Sequence, residues 1–444
     1  MKHSSLVGHL VEVLEAAHNP STPVDRTLNR FYRSHRYLGA RDRRFISDHL
    51  YGLIRQMRFI EFLVCRLRDK GLLPAHMAPA NPVLVYLVYA ALHRSQTVAE
   101  IVEDSADIRN GLLDSSLCET IVHFIRDHDV HRELPEDPVR RDAILYSIPD
   151  FLMKEWNDLP GNEGHELAAA MNLEAPVTLR VNSLRTSRAE CKELLGRVGI
   201  GTADTKISPD GLTASKRLNL TSLNVFRSGL IEPQDEGSQI ISYLVNPSAG
   251  ETIVDACAGA GGKGLHMAAL MNNKGRMLAV EPDRRRRKNA EIRARRAGVD
   301  ILHLYDPEDQ DLEMERGLAD RVLVDAPCSG SGVFRRNPGA KLFLNPDRVE
   351  GHVREQRSIL NRYASFVRPG GWLVYATCSL CRSENEEVVN WFLSVQPAFR
   401  FIPVSEVLAK SPLRLDHPEK FLRLYPHRHG TDGFFAAVFR RGDH

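Results

Sequence analysis

From residue 236 onward, short apolar runs alternate with amphipathic stretches, and that alternation leaves few folds open to the chain. The runs are "TIVDA" (252–256), "RMLAVEP" (276–282), "ILHLYD" (301–306), "DRVLVDAP" (320–327) and "GWLVYAT" (371–377). Each is a short apolar stretch ending in polar or glycine residues, with helical stretches between most of them. Strands alternating with helices imply a doubly wound, mostly parallel sheet. The terminal "GTDGFFAAVFRR" (430–441) is expected to add an edge strand.

The chain before that point reads differently. Over residues 1–150 the apolar positions recur at helical spacing: Ile46, Leu50, Leu53, Ile54 and Met57 share one face, leaving Arg43, Asp48 and Arg55 on another. Asn81-Pro82 places a cap residue before a proline at the first helical position, and Thr97-Val-Ala-Glu100 is a capping box. Residues 151–235 change character again, with strand-like Val177, Leu179 and Val181, a helix expected from Ser187 to Val198, and glycine-rich turns. The expected organisation is an all-helical domain (1–150), a small α/β segment (151–235) and a Rossmann-like domain (236–444).

Composition excludes several classes. In 444 residues the 43% hydrophobic and 26% charged content is that of soluble globular proteins. The longest apolar run, "VLVYLVYAAL" from Val83, has about half the length needed to span a bilayer. Glu12 and Glu15 interrupt the apolar pattern of the N-terminus, unlike the uncharged centre of a signal peptide. Seven irregularly spaced cysteines, an odd number, argue against a disulfide framework or a structural zinc site. The expectation is a cytoplasmic monomer with no membrane or metal partner. A net charge of +2 does not by itself announce nucleic acid.

In a doubly wound sheet, ligands bind beyond the carboxyl ends of the strands. The first strand runs into "VDACAGAGGKG" (254–264), which satisfies the glycine fingerprint of dinucleotide sites from Gly259 and, from Asp255, resembles the first loop of a methyltransferase. Glu281 follows the second strand, about 20 residues beyond the glycines, where a carboxylate accepts the hydroxyls of a ribose. Both NAD and S-adenosyl-L-methionine carry that ribose. The remaining strand ends decide between them. The third strand ends at Asp306, the fourth runs into "DAPCSGSG" from Asp325, and the fifth into "ATCS", so Cys328 and Cys378 arrive beside the nucleotide site. Hydride transfer needs no thiol. Methylation of cytosine carbon 5 does, because that carbon becomes nucleophilic only after a thiolate adds at carbon 6. A second group must then remove the carbon-5 proton so that the adduct collapses.

"DACAGAGGKG", "AVEPD", "DAPCSGSGVFRRNP" and "YATCSLCRSENEEVV", in this order, resemble the S-adenosyl-L-methionine-dependent RNA 5-methylcytosine transferases of the RsmB/NOP/Sun family. "LRVNSLRTS" (179–187) and "PQDEGSQ" (233–239) are similar to the same family, and "LGARDRRFI" (38–46) to its NusB-like RNA-binding domain. The resemblance implies that Cys378 attacks carbon 6, that Cys328 assists release of the methylated RNA, and that Asp325 hydrogen-bonds the cytosine and stabilises its protonated ring. It further implies that Cys257, Ala258, Gly259, Ala260, Gly261, Gly262 and Lys263, with Glu281, Asp306 and Asp325, hold the cofactor. The chain departs from the family pattern at Ala260, where proline is frequent, at Gly264, where Thr or Ser is common, and at Glu281, where Asp is usual. Ribosomal RNA, from the small subunit, is the expected substrate. The alternatives are transfer RNA, or a catalytically silent RNA-binding or ribosome-assembly factor; an NAD oxidoreductase lacks a hydride-transfer constellation.

Other residues read more plainly. Cys65, Cys118, Cys191 and Cys381 suit small buried hydrophobes, and the Cys257 thiol suits packing. Arg41, Arg43 and Arg44 read as a solvated helix start, and Arg284–Lys288 as either a solvated face or an RNA contact. Arg335 and Arg336 are expected to contact phosphate. Lys263 orients the cofactor carboxylate or the substrate, or caps its helix. His18, His427 and His429 are taken as solvated surface.

Overall fold

Capping and apolar spacing start the first helices where the sequence places them. In the computed structural model, Asn81 Oδ1 accepts hydrogen bonds from the Val83 and Leu84 amides at 3.0 and 3.3 Å and opens the helix Pro82–His93. Thr97 and Glu100 close their capping box around the start of Val98–Asp104. The structure describes residues 2–17, 22–73, 77–78, 80–93, 95–108, 113–409, 411–415 and 420–443; His18 and Arg94 lie outside them.

The described residues form two units. The first comprises 1–173 and the later segment Phe334–Asn345, and its described elements are all helical. Helix Ala40–Asp69 buries Ile46, Leu50, Leu53, Ile54 and Met57, the face marked by their spacing. Val83–Ala91 is buried throughout, so the longest apolar run is the centre of a bundle. Among the described residues no helix is long and apolar enough to cross a membrane. Phe334–Asn345 belongs to this unit through Lys341, whose ammonium donates to the Arg55 carbonyl at 3.2 Å and to Asn172. Helices Pro138–Leu145, Asp150–Trp156 and Glu163–Ala170 also cluster here, so this unit extends past residue 150.

The second unit holds two sheets. In the smaller, β1 (Val177–Val181) pairs antiparallel with both β3 (Gly211–Ala214) and β4 (Ile231–Pro233), and β2 (Thr202–Asp204) lies outside β3. Helix Arg188–Arg197, capped by Ser187, packs its Cys191 and Leu195 into this sheet's core. The larger sheet contains β5 (Thr252–Asp255), β6 (Arg276–Val280), β7 (Leu302–Tyr305), β8 (Ala319–Asp325), β9 (Val367–Thr377), β10 (Phe399–Ile402), β11 (Leu422–Leu424) and β12 (Phe434–Arg441). Its order is β10-β12-β9-β8-β5-β6-β7, with β11 paired to β12. From β7 to β9 all neighbours are parallel, and β12 is antiparallel to both β9 and β10.

β12 corrects the expectation of an edge strand: it lies between β9 and β10. Its buried run from Phe434 to Phe439 has no solvent-facing alternation, as a strand covered on both faces requires. The sheet reverses direction at β5, since β6 lies on one side and β8 on the other. That switch point opens a crevice beyond the carboxyl ends of β5 and β8.

Candidate active site

Every residue expected at the site stands at a carboxyl end of the larger sheet. Asp255 ends β5, Glu281 and Asp306 follow β6 and β7, Asp325 ends β8, and Cys378 follows β9. The register Asp325↔Ala376 brings the loops after β8 and β9 side by side. They touch backbone to backbone, the Gly332 amide donating to the Cys378 carbonyl at 2.9 Å, and the segment before β12 joins them, the Gly433 amide donating to the Gly332 carbonyl at 2.8 Å. A Cβ on Gly332 would stand 2.3 Å from the Gly433 oxygen, so only glycine permits this approach. The outcome is a separation of 3.4 Å between the sulfurs of Cys328 and Cys378. The Cys328 thiol is pushed well above its usual range by its bond to Cys378, then by burial and by the Glu384 carboxylate.

The loop from Cys257 to Gly261 is held from below and from the side. The Ala256 amide donates to the Leu323 carbonyl and the Ala258 amide to that of Val280, anchoring the loop to β8 and β6. Gly261 has a φ of 80° immediately before helix Gly262–Leu270, a left-handed conformation that suits glycine. The small sheet braces the loop: Arg180 on β1 donates to the Gly262 carbonyl at 2.7 Å. Arg293 donates to the Ala260 carbonyl at 2.7 Å while pairing with Glu232 of β4. This bracing could not be read from the sequence, because Arg180 and Glu232 sit in strands and make their contacts 60 or more residues away.

Lys263 does not cap its helix; its ammonium donates to Asp325 Oδ2 at 2.6 Å. Burial works against that charge, but Asp325 outweighs it and holds the ammonium above its usual range. Glu281 is 4% exposed and accepts the Asp283 amide at 2.8 Å. Asp306 accepts from the Glu308 amide and from Arg287, which together hold its carboxyl below the usual range. The Cys257 thiol is pushed well up by burial and by Asp255, Asp325 and Glu281.

Asp255 is fully buried and neither of its oxygens makes a well-formed side-chain hydrogen bond among the described residues; burial, then the neighbouring Asp325 charge, lift its carboxyl to about 7 against the Lys263 ammonium and the Cys257 amide. A Cβ at Gly264 would stand 3.4 Å from Asp255 Oδ2, within reach for a serine or threonine hydroxyl. A carboxyl raised on folding favours the native state below its unfolded pKa, and that contribution is lost as pH rises through about 7. Gly264→Ser supplies a donor to the ionised form. It is therefore expected to raise the melting temperature more at pH 8 than at pH 5 in thermal melts of the ligand-free protein; equal shifts would contradict the pairing.

Two surface expectations need correction. Arg335 is 6% exposed and its carbonyl accepts from Arg55, so it lies inside the helical unit and is not available to phosphate; Arg336 is exposed. His427 and His429 are half-buried, and His429 bonds the backbone of Tyr425. In Arg284–Lys288 all but Arg287 are exposed, and Arg287 is tied to Asp306. Arg43 donates to the Leu38 carbonyl, whereas Arg41 and Arg44 are exposed. All seven cysteines are free.

A mostly parallel sheet with one antiparallel strand second from its edge, carrying acidic residues at the ends of β5 to β8, defines a Rossmann-like methyltransferase fold. The solved structure of PH0851 shares it across 99% of both chains, at 26% identity and a TM-score of 0.77. A methyltransferase homolog protein from Pyrococcus horikoshii aligns with 69% of this chain and all of its own, at 28% identity and a TM-score of 0.59. Residues 242–440 match the family described as 16S rRNA methyltransferase RsmB/F, and residues 148–221 its ferredoxin-like domain. A probable ribosomal RNA small subunit methyltransferase B of Bacillus subtilis is 35% identical over 79% of this chain and 78% of its own length. The human 28S rRNA (cytosine(4447)-C(5))-methyltransferase is 32% identical over 73% of this chain and 42% of its own. The chain belongs to the RsmB/F family of rRNA methyltransferases.

Proposed function

We propose that this protein methylates carbon 5 of a cytosine in small-subunit ribosomal RNA, taking the methyl group from S-adenosyl-L-methionine. The observation that carries this reading is the pair of thiols 3.4 Å apart at the ends of β8 and β9, beside Asp325. Cys378 is the nucleophile toward carbon 6. Cys328, whose thiol is held protonated, is the poorer nucleophile of the two and suits proton transfer during release. Asp325 accepts a hydrogen bond from the cytosine and offsets positive charge on its ring. The test is a methylation assay on 16S rRNA with labelled S-adenosyl-L-methionine and mass-spectrometric identification of the product nucleoside. 5-Methylcytidine supports the reading; a different methylated nucleoside, or none, opposes it.

The residues present fit the cofactor. Its ribose diol needs a buried carboxylate with acceptor capacity, which Glu281 has; its α-ammonium and sulfonium need negative charge nearby, which Asp255 offers when ionised. The loop from Cys257 to Lys263 would hold it through backbone groups, and Asp306, at the end of β7, would accept a hydrogen bond from its nucleoside end. When bound, the cofactor supplies an electrophilic methyl group. Glu281→Ala removes at least one charge-assisted bond, and calorimetry should show S-adenosyl-L-methionine binding weakened by roughly 1.5–3 kcal/mol, tenfold or more. Unchanged affinity would remove Glu281 from the cofactor site.

Exposed arginines support RNA binding by the helical unit. Arg26, Arg30 and Arg33 recur along helix Val24–Ser34, and Arg36, Arg41 and Arg44 continue the charge to the start of Ala40–Asp69. Each phosphate contact contributes about one to the slope of log affinity against log salt. Replacing Arg30, Arg33 and Arg41 with alanine should flatten that slope by about two to three while leaving cofactor binding intact. An unchanged slope would move the RNA contact elsewhere.

A further inference from the structure

Behind the two cysteines lies a buried polar cluster that the catalytic reading does not use. Gln356 and Glu384 are fully buried and Asn385 is 4% exposed. Glu384 Oε1 accepts from the Ser329 amide at 2.8 Å and from Gln356 Nε2 at 3.0 Å; Oε2 accepts from the hydroxyls of Ser329 and Ser379. All four acceptor positions of the carboxylate are thus filled, and no cation pairs with it among these contacts. Ser329 and Ser379 are the residues that immediately follow Cys328 and Cys378. The residues on the other sides are held as well. Gln356 Nε2 donates to the Pro327 carbonyl at 2.9 Å, Thr377 Oγ1 donates to Asn385 Oδ1 at 2.6 Å, and Asn385 Nδ2 donates to the Ser379 carbonyl at 3.0 Å.

We propose that Glu384, with Gln356 and Asn385, is the positioning device that fixes the two catalytic sulfurs relative to each other, gripping each cysteine by its neighbours on both sides. The inference rests on the reading that Cys378 attacks and Cys328 assists release. A buried carboxylate is costly unless fully hydrogen-bonded, and its four donors come from the loop after β8, the loop after β9 and the helix Pro346–Ala364. Moving either loop alone breaks bonds to the carboxylate, so the separation of the sulfurs is over-determined. The carboxylate also adds negative charge behind the Cys328 thiol and favours its protonated form. The other titratable and charged groups around that thiol are Cys378 and, on β9, Tyr375, with Lys263, itself paired to Asp325, close to the Cys378 sulfur. Glu384 is a positioning residue, since it touches neither reacting atom.

The test is single-turnover methylation of 16S rRNA across pH by the full chain and its Glu384→Ala and Glu384→Gln variants, with Cys328→Ala run alongside. Glu384→Ala frees both loops and should slow methyl transfer on the order of a hundredfold at unchanged cofactor affinity. Glu384→Gln keeps the size and the acceptor to the Ser329 amide, so it should recover to within about tenfold of wild type. Having lost the charge, it should also move the pH profile of adduct release downward by about one unit, a shift that a purely structural role would not produce. If Glu384→Ala fails to fold, Glu384→Gln alone decides through that pH shift. Wild-type rates and an unchanged profile in both variants overturn the proposal. Should Cys328→Ala trap no adduct, it is the underlying assignment of the cysteines that has failed.

Discussion

Cys328→Ala is expected to accumulate a covalent protein–RNA complex that survives denaturing electrophoresis, while Cys378→Ala forms none. The two thiols are 3.4 Å apart, so distance does not tell nucleophile from assistant. Their surroundings do. Cys328 carries the Glu384 carboxylate behind it and a bond to the other sulfur, both of which oppose its ionisation. Cys378 instead has the Lys263 ammonium nearby. Losing the nucleophile should reduce methylation by at least about 10⁴-fold, the scale seen when a covalent catalyst is removed. Without Cys328, attack and methyl transfer proceed and only the collapse of the adduct slows. With the roles reversed, the trapped species appears in Cys378→Ala instead. An adduct in neither variant would favour a silent RNA-binding factor.

Asp325→Ala should lose methylation by roughly 10²–10⁴-fold, with adduct formation and methyl transfer falling together. Adding a thiolate at carbon 6 draws electron density into the ring, and a carboxylate that stabilises the protonated ring acts in that first step. Cys328→Ala separates attack from release, whereas Asp325→Ala should not. Asp325 also holds Lys263 at 2.6 Å, so part of the loss comes from leaving a buried ammonium without its partner. Lys263→Met in the Asp325→Ala background distinguishes the two contributions. If the double variant recovers to the level of Lys263→Met alone, Asp325 serves only to pair the lysine. The expected outcome is that the Asp325 loss persists, measured by single-turnover kinetics at saturating cofactor.

The parallel sheet was legible because its strands are short apolar stretches, each followed by an acidic residue of the proposed site: Asp255, Glu281, Asp306 and Asp325. β12 carried the same signal, yet its position was misjudged, since its neighbour β10 is only "FRFI" and too short to register as a strand. Arg335 misled for a related reason. "FRRNP" has the composition of a surface loop, and nothing local reveals that Phe334–Asn345 leaves the second unit to pack with the helices. Glu384 carries no signal of its own in the sequence. In "CRSENEEVV" it is one of three glutamates, two of which, Glu386 and Glu387, belong to the first turn of a helix, and only its hydrogen bonds to Ser329, Ser379 and Gln356 set it apart.

The central claim is that the methyl group goes to carbon 5 of cytosine. It is tested most directly with 16S rRNA tritiated at that carbon, by counting tritium released to water against methyl groups transferred from S-adenosyl-L-methionine. Substitution at carbon 5 expels the proton that was there, so the account predicts one tritium released for each labelled cytosine methylated. Methyl transfer that leaves the tritium in place would put the methyl on another atom and contradict the account.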